Sequence, residues 1–139
     1  VTFTGEKTLL GRPLTGAKEI MDAFGASIVS ACPDGCLESP SDNPVRVPLT
    51  VTGPLKAGRA EISGKHGSQL ISGLLMALPF AEKNSSLIVH EPKSIPYMFI
   101  TLEVLKKFGI RIANDMLGGR DFLESDGWLV LTTDFHYAQ

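Results

Sequence analysis

Apolar and polar positions along the chain follow two periods, one typical of helices and one typical of strands. Residues 13–24 and 96–108 carry apolar side chains at helical spacing, and each stretch begins near a proline and ends on Phe-Gly. Residues 70–81 are apolar on nearly every side, which predicts a helix buried all round at the centre of the core. Short apolar runs predict strands at 1–4, 26–30, 47–52, 60–63, 86–90, 110–112 and 128–132.

Prolines and glycines refine these boundaries. Pro13 suits the first turn of a helix, and Gly25 and Gly109 suit the residue after a helix end. Pro48 indicates that the strand at 47–52 starts there or lies at a sheet edge. In the helix at 96–108 glutamate and lysines are expected to face water, and the predicted buried stripe consists of Tyr97, Ile100, Val104, Leu105 and Phe108.

The two proline-to-Phe-Gly stretches predict an internal repeat. Each consists of an early proline, a helix, Phe-Gly and then a strand, which is the scale of a whole supersecondary unit. Residues 60–139 have the order of a complete βαβαββ unit, and residues 1–59 have the order of the second half of another. We therefore expect an α/β (α+β) fold with about one and a half such units, both within a single globular domain.

Composition narrows the functional classes. The 139 residues are 43% hydrophobic and 20% charged, with a net charge of -2 and no block of like charge. This composition is typical of a globular protein and disfavours binding to nucleic acid or to a membrane surface. The apolar run at 70–81 is shorter than the roughly 20 residues that span a bilayer, and no secretory signal precedes it, so we expect a cytoplasmic protein.

Metal and cofactor chemistry has little support. Cys32 and Cys36 lie in a Cys-Pro-Asp-Gly-Cys turn without further ligands for a tetrahedral site, so two free thiols in a surface loop are expected. The three histidines, at 66, 90 and 136, are scattered, and none has a His or carboxylate companion at helical spacing. No metal or cofactor is expected.

The strongest candidate site is the loop before the apolar helix. Gly67 would let a ligand approach the backbone, Ser68 and Gln69 supply polar side chains, and Lys65 supplies a nearby positive charge. Because the first N–H groups of a helix are unpaired and lie at the positive end of its dipole, this loop suits a phosphate or carboxylate. The alternative is that Ser68 only caps a core helix.

A second helix start strengthens the anion-site hypothesis. Right-handed crossovers place the two helix N-termini at the same sheet edge, so Ser68 and Ser94 are expected to converge. Tyr97, one turn into the second helix, could lie against a ring-shaped ligand. Arg12, directly before the helix predicted from Pro13, would face the positive end of a dipole, a conflict that a bound anion would relieve. A solvated or surface-paired arginine is the alternative.

Three motifs together resemble a known family. They are Thr4-Gly5 with Leu10-Gly11-Arg12-Pro13-Leu14, Gly67-Ser68-Gln69 with Leu74-Leu75-Met76-Ala77, and Ser94-Ile95-Pro96-Tyr97 with Thr101-Leu102 and Phe108-Gly109. In these motifs and their order, the sequence is similar along nearly its whole length to 5-enolpyruvylshikimate-3-phosphate synthases, also called 3-phosphoshikimate 1-carboxyvinyltransferases.

The resemblance implies two globular domains of βαβαββ units with substrates bound between them, of which this chain would match the later part of one. It implies transfer of the enolpyruvyl group of phosphoenolpyruvate to the 5-hydroxyl of shikimate 3-phosphate, in the shikimate pathway of aromatic amino-acid biosynthesis. Carried over by motif, the shikimate 3-phosphate ligands are Gly67, Ser68, Gln69, Ser94 and Tyr97, and the phosphoenolpyruvate ligands are Arg12 and Gln69.

Two positions depart from the family pattern. The family usually has Ser-Ser-Gln and Ser-Lys-Pro-Tyr, where this chain has Gly67 and Ile95 in place of the first serine and the lysine. Gly67 can still donate its backbone N–H. The family's N-terminal lysine segment, its Asn-Ala-Gly-Thr motif and its second domain have no counterpart here, so no catalytic residue is assigned.

Three functional hypotheses follow. The first is a part of the synthase that is inactive alone and is completed by the remainder of the enzyme. The second is a stand-alone, non-catalytic anion-binding or assembly module of the same fold. The third, the related UDP-N-acetylglucosamine enolpyruvyl transferase, is disfavoured by the Ser-Gln and Pro-Tyr motifs.

Overall fold

The computed structural model describes residues 1–30, 45–65, 67–116 and 129–133, the last of these by backbone alone. Cys32, Cys36, His66 and His136, together with the predicted loop at 32–44, lie outside the described residues. The described part combines helices and strands in small sheets, so the mixed α/β class is confirmed. Two compact units divide the chain, Val1–Pro54 and Leu55–Gln139.

The first unit contains one helix and a three-stranded antiparallel sheet in the order β1-β3-β2. Its elements are β1 (Thr2–Phe3), a 3-10 turn (Lys7–Leu9), α1 (Ala17–Ala23), β2 (Ser27–Ser30) and β3 (Leu49–Thr52). β3 begins directly after Pro48, as predicted. Ile20 and Phe24 form the buried side of α1. On its exposed side Lys18 pairs with Asp22 at 2.8 Å, and this hydrogen bond and the carboxylate charge raise the pKa of Lys18 above its usual value.

The start of α1 differs from the prediction. The helix begins at Ala17, after Gly16, and not at Pro13. Leu14 donates its N–H to the carbonyl of Val45 at 2.7 Å in an isolated β-bridge, so this part of the chain is tied to an extended segment and cannot join the helix.

The second unit has the order strand, helix, strand, helix, strand, strand. Its elements are β4 (Arg59–Ser63), α2 (Gln69–Ala77), β5 (Ser85–His90), α3 (Ile95–Lys107), β6 (Ala113–Asn114) and β7 (Leu129–Thr133). The four strands form a parallel sheet in the order β4-β5-β7-β6. Ala60 pairs with Leu87 and Ile62 with Val89, so these four buried side chains share one face of the sheet. The opposite face carries Arg59, Glu61, Ser63, Ser86, Ile88 and His90.

Both Phe-Gly pairs end their helices in the same way. Phe24 and Phe108 occupy the C-cap, and the glycines that follow have φ of 69° and 81°. Two residues after each phenylalanine, Ala26 and Ile110 donate an N–H to a carbonyl five residues earlier, both at 2.9 Å. These two hydrogen bonds satisfy carbonyls that the helix ends leave free.

The same cap explains why the strand predicted at 110–112 is wrong. Ile110 is held at the end of α3 by its hydrogen bond to Leu105, and the strand β6 starts only at Ala113. The other strands are confirmed to within two residues at each end.

The apolar run at 70–81 is not a helix buried all round. α2 ends at Ala77, and Pro79 lies in a 3-10 turn at Leu78–Phe80, because proline lacks the N–H that would continue the helix. Ile71, Leu74, Leu75 and Leu78 are buried, whereas Met76 and Phe80 are exposed. The run therefore has a buried and an exposed face.

The predicted stripe of α3 is also corrected. The buried residues are Met98, Leu102 and Leu105, while Tyr97, Ile100, Val104 and Phe108 are exposed. Both sets recur at helical spacing, so periodicity alone could not decide which one faces the sheet.

Candidate functional site

The loops that precede α2 and α3 are joined at one end of the parallel sheet. The last residues of β4 and β5, Ser63 and His90, are paired in register. Gly64 donates its N–H to the His90 carbonyl at 2.7 Å, and Lys93 donates its N–H to the Gly64 carbonyl at 3.3 Å. The two helices therefore start from neighbouring, hydrogen-bonded loops.

Gly64 is the point of closest approach between these loops. A side-chain carbon on Gly64 would lie 2.6 Å from the Cα of Pro92 and 3.1 Å from Cγ1 of Val89. Only the absence of a side chain permits this backbone packing. The sequence does not reveal this requirement, because the contacts come from Val89 in the adjacent strand and from Pro92 in the loop after it.

Gly67 and Ser68 shape the entry to α2. Gly67 has φ of 106°, a conformation that is strained for a residue with a side chain. Ser68 occupies the N-cap position, is only 6% exposed and makes no side-chain capping hydrogen bond. Its carbonyl accepts the N–H of Ser72 at 2.8 Å. The alternative that the Ser68 hydroxyl caps the helix is therefore not what the structure shows.

Gln69 is the first residue of α2 and is exposed. Its side-chain oxygen lies on the side of Gly67, since a carbon built on that glycine would be 3.5 Å from it. Backbone N–H groups in the first turn of a helix lack intrahelical partners. The Gly67-Ser68-Gln69 segment thus presents a helix N-terminus with a short polar side chain and an amide beside it.

Ser94 and Tyr97 form the entry to α3. Ser94 has a left-handed backbone conformation with φ of 57°, is exposed and makes no capping hydrogen bond. Pro96 lies in the first turn, and Tyr97 donates its N–H to the Ser94 carbonyl at 3.0 Å. The Tyr97 ring is 64% exposed. Ring and hydroxyl are both accessible at the start of this helix.

A hydrogen bond between the helices lies one turn further along. The Thr101 hydroxyl lies within hydrogen-bond distance of two oxygens, the Ser72 hydroxyl at 3.0 Å and the Tyr97 carbonyl at 2.9 Å. The pair links α2 and α3 beside their first turns. The sequence analysis missed it because Ser72 belongs to no motif, and nothing in the sequence shows that it faces Thr101.

Charges near the loops are partly balanced. Lys65 was expected to supply a positive charge near a bound anion. In the structure its ammonium lies 2.6 Å from the Glu91 carboxylate. Both side chains are more than half exposed, so this pair contributes little to stability. His90 lies 3.4 Å from Glu61 across the two strands, a companion that helical spacing could not reveal. Glu91 itself has φ of 49°.

Arg12 lies in the first unit, between the 3-10 turn and α1. Its N–H donates to the Leu9 carbonyl at 3.2 Å, and its side chain is exposed. The helix starts at Ala17, so the expectation that Arg12 directly precedes a helix N-terminus was wrong. The preceding residue, Gly11, accepts a hydrogen bond from the Arg46 guanidinium. Ser30 in turn bonds both backbone groups of Arg46 at 2.9 Å.

No helix in the described ranges is long and apolar enough to cross a membrane.

Comparison with known proteins extends over most of the chain. The family model described as EPSP synthase (3-phosphoshikimate 1-carboxyvinyltransferase) matches residues 1–120. The 3-phosphoshikimate 1-carboxyvinyltransferase of Methanosarcina mazei is 37% identical over 122 residues, which is 87% of this chain and 26% of that protein. The enzyme of the same name from Clostridium acetobutylicum is 37% identical over 115 residues, 82% of this chain and 24% of that protein.

The chain spans about a quarter of the length of these curated relatives. The family match nevertheless covers all of the first compact unit and most of the second. The chain belongs to the EPSP synthase family.

Proposed function

We propose that this chain supplies the shikimate 3-phosphate side of an EPSP synthase. In this proposal the substrate phosphate binds where the N-termini of α2 and α3 start from their joined loops. The observation that supports the proposal most directly is a pair of hydrogen bonds made by Gly64. Its N–H donates to the carbonyl of His90 at the end of β5, and its carbonyl accepts the N–H of Lys93 in the loop that follows, so the two helices start from neighbouring loops. Unpaired N–H groups at helix starts bind phosphate.

Each candidate residue then has a defined role. The hydroxyls of Ser68 and Ser94 donate to the phosphate, and Gly67, whose N–H already donates to the Gly64 carbonyl at 3.2 Å, lets the ligand approach the backbone. Gln69 contacts the substrate with its amide, and the exposed Tyr97 ring packs against the shikimate ring. Lys65 is near enough to contribute charge if the anion competes with Glu91 for its ammonium.

The reaction proposed for the complete enzyme is transfer of the enolpyruvyl group of phosphoenolpyruvate to the 5-hydroxyl of shikimate 3-phosphate, with release of phosphate. Arg12 in the first unit and Gln69 in the second are each proposed as phosphoenolpyruvate ligands of the complete enzyme. The hydrogen bond from Arg46 to Gly11 supports a fixed loop next to Arg12. The finer fold proposed is the βαβαββ type, with one complete unit at 60–139 and half a unit at 1–59 in one globular domain.

The isolated chain is proposed to lack turnover. Transfer requires one group to protonate the enolpyruvyl methylene and another to remove the hydroxyl proton. We propose that both groups lie in the part of the relatives' length that this chain does not span. Assay of the purified chain with both substrates should give no phosphate release above background, and activity that co-purifies with the chain through two columns would contradict this.

Binding of shikimate 3-phosphate can be tested by calorimetric titration. The isolated chain should bind with millimolar or tighter affinity, and Ser94→Ala should weaken binding by about fivefold because one charge-assisted hydrogen bond is lost. Ser27→Ala, an exposed serine of β2 in the other unit, is the matched control and should bind like the unsubstituted chain. The absence of heat at millimolar ligand would refute the proposal.

A further inference from the structure

The contact between α2 and α3 includes a hydrogen bond between two short polar side chains. The hydroxyls of Ser72 and Thr101 lie 3.0 Å apart, and both residues are half-buried. Most side-chain hydrogen bonds in proteins are made to the backbone or to water, and bonds between two side chains are the minority. The Thr101 bond to the Tyr97 carbonyl is ordinary for a threonine in a helix, whereas the bond to Ser72 reaches another element. The hydroxyl pair is therefore a specific link between the two helices.

This link connects the starts of the two helices through a path of hydrogen bonds. On the α2 side, Ser72 donates its N–H to the carbonyl of Ser68, the N-cap residue, at 2.8 Å. On the α3 side, the Thr101 hydroxyl bonds to the Tyr97 carbonyl at 2.9 Å. The Tyr97 N–H in turn donates to the carbonyl of Ser94, the N-cap residue of α3, at 3.0 Å. The path thus ends at two residues that are both candidate phosphate ligands.

The two helix starts are tied together at two levels. Gly64 ties the loops that precede them, through its hydrogen bonds with His90 and Lys93. A tie between loops leaves the helices free to tilt about it, because it acts only at their first residues. The Ser72–Thr101 bond is a second tie about one turn further along α2, and it removes this freedom.

Apolar packing between the helices fixes their spacing less closely than the hydroxyl pair does. Ile71, Leu75, Met98 and Leu102 are buried, but the hydrophobic effect that holds them is non-directional. A hydrogen bond between hydroxyls has its optimum at roughly 2.8 Å and weakens away from it. A phosphate that contacts both helix starts has the same narrow tolerance, since all of its hydrogen bonds have to be formed at once.

We propose that Ser72 and Thr101 are positioning residues, which set the distance between the N-termini of α2 and α3 and so the affinity for a phosphate monoester bound at both. Neither residue touches the ligand, and both act through Ser68 and Ser94. The ligand part of this inference rests on the proposed function, whereas the coupling of the two helix starts exists with or without a ligand.

Calorimetric titration of the isolated chain with shikimate 3-phosphate tests the effect on binding. Thr101→Val keeps the shape of the side chain and removes its hydroxyl, and Ser72→Ala removes the same link from the other helix. Each should weaken binding about tenfold, because the donors at the two starts no longer fit one phosphate together. The double variant should bind no more weakly than the weaker single variant, since both changes remove one bond. Thr101→Ser, which keeps the hydroxyl, should bind like the unsubstituted chain.

Ser86→Ala is the matched control. Ser86 is a half-buried serine of the same unit, but it lies in β5 on the sheet face opposite the buried side chains. This variant should bind like the unsubstituted chain. Melting temperatures separate positioning from stability, because a purely structural role lowers the melting temperature of Thr101→Val and leaves its affinity unchanged. That result would overturn the proposal while the proposed function stands.

Amide spectra of the ligand-free, isotope-labelled chain test the coupling independently. Thr101→Val on α3 should shift the signals of Ser68 and Gln69 on α2, Ser72→Ala should shift the signal of Tyr97, and Thr101→Ser should leave all of them in place. Shifts confined to the helix that carries the substitution would overturn the proposal. Failure of the unsubstituted chain to bind shikimate 3-phosphate would instead refute the proposed function, and the amide signals alone then decide whether the two helix starts are coupled.

Discussion

At the scale of a single residue, Gly64 holds together the two loops that precede α2 and α3. Its N–H and carbonyl bond to His90 and Lys93, and its missing side chain lets Pro92 approach. A glycine in a loop after a strand is common in any sequence, so its importance could not be predicted from the sequence. The requirement for glycine comes entirely from the residues that pack against this position.

A methyl group at this position should therefore be costly. Gly64→Ala is expected to lower the free energy of unfolding by about 2 kcal/mol, because the contact at 2.6 Å is with backbone that cannot rotate away. Gly73→Ala is the matched control, since nothing lies within 4 Å of its added carbon and alanine favours a helix by about 1 kcal/mol. Urea unfolding should show opposite signs for the two variants. A Gly64→Ala variant as stable as the unsubstituted chain would contradict this packing.

Gly67 is the residue at which the chain departs from the family's usual serine. Its φ of 106° explains why a serine does not fit this backbone without strain. Gly67→Ser should lower the free energy of unfolding by about 1 kcal/mol, although it restores the usual motif. Gly73→Ser, in the middle of α2, lacks this strain and should show no such loss. An increase in stability for Gly67→Ser, measured by urea unfolding, would show that the loop does not need a left-handed residue.

At the scale of elements, helix ends were predictable and helix faces were not. The Phe-Gly pairs predicted the ends of α1 and α3 correctly. The residue after this kind of helix end adopts a positive φ, and glycine does so without strain. The start of α1 failed because the Leu14–Val45 bridge is formed with a distant segment. Local chemistry can be predicted from the chain, but contacts across some thirty residues cannot.

The faces of α3 illustrate the same limit. Tyr97, Ile100 and Val104 recur at helical spacing, and so do Met98, Leu102 and Leu105. Both sets are large and apolar, and periodicity treats them alike. Only the position of the sheet decides which set is buried. For Tyr97 the correction favours the ligand hypothesis, because an exposed ring is available to a substrate.

The neighbouring positions of the two helix starts could be predicted from topology, whereas the anion site itself stays a prediction. Parallel strands with crossover helices place helix starts at one sheet edge, and this arrangement follows from the order of elements. The hydrogen bonds between the loops agree with it. The pairing of Lys65 with Glu91 could not be predicted, because it depends on the side-chain positions of two loops.

At the scale of the whole molecule, the family match and the share of each relative that it spans lead to different conclusions. The match covers all of the first unit and most of the second, while its length is about a quarter of each relative. A chain of this relative length is expected to carry only some of the groups that the complete enzyme uses. The substrate phosphate is proposed to bind here, and the chemistry is proposed to need the remainder.

The most direct test is an NMR titration of the isolated, isotope-labelled chain with shikimate 3-phosphate. Backbone amide signals of Gly67, Ser68, Gln69 and Ile95 should shift together with one saturating affinity, and shikimate without its phosphate should leave them nearly unchanged. Signals of residues 82–84, in the turn before β5, should stay in place in both titrations. Absence of these shifts at millimolar ligand, or equal shifts with shikimate, would contradict a phosphate site at the two helix starts.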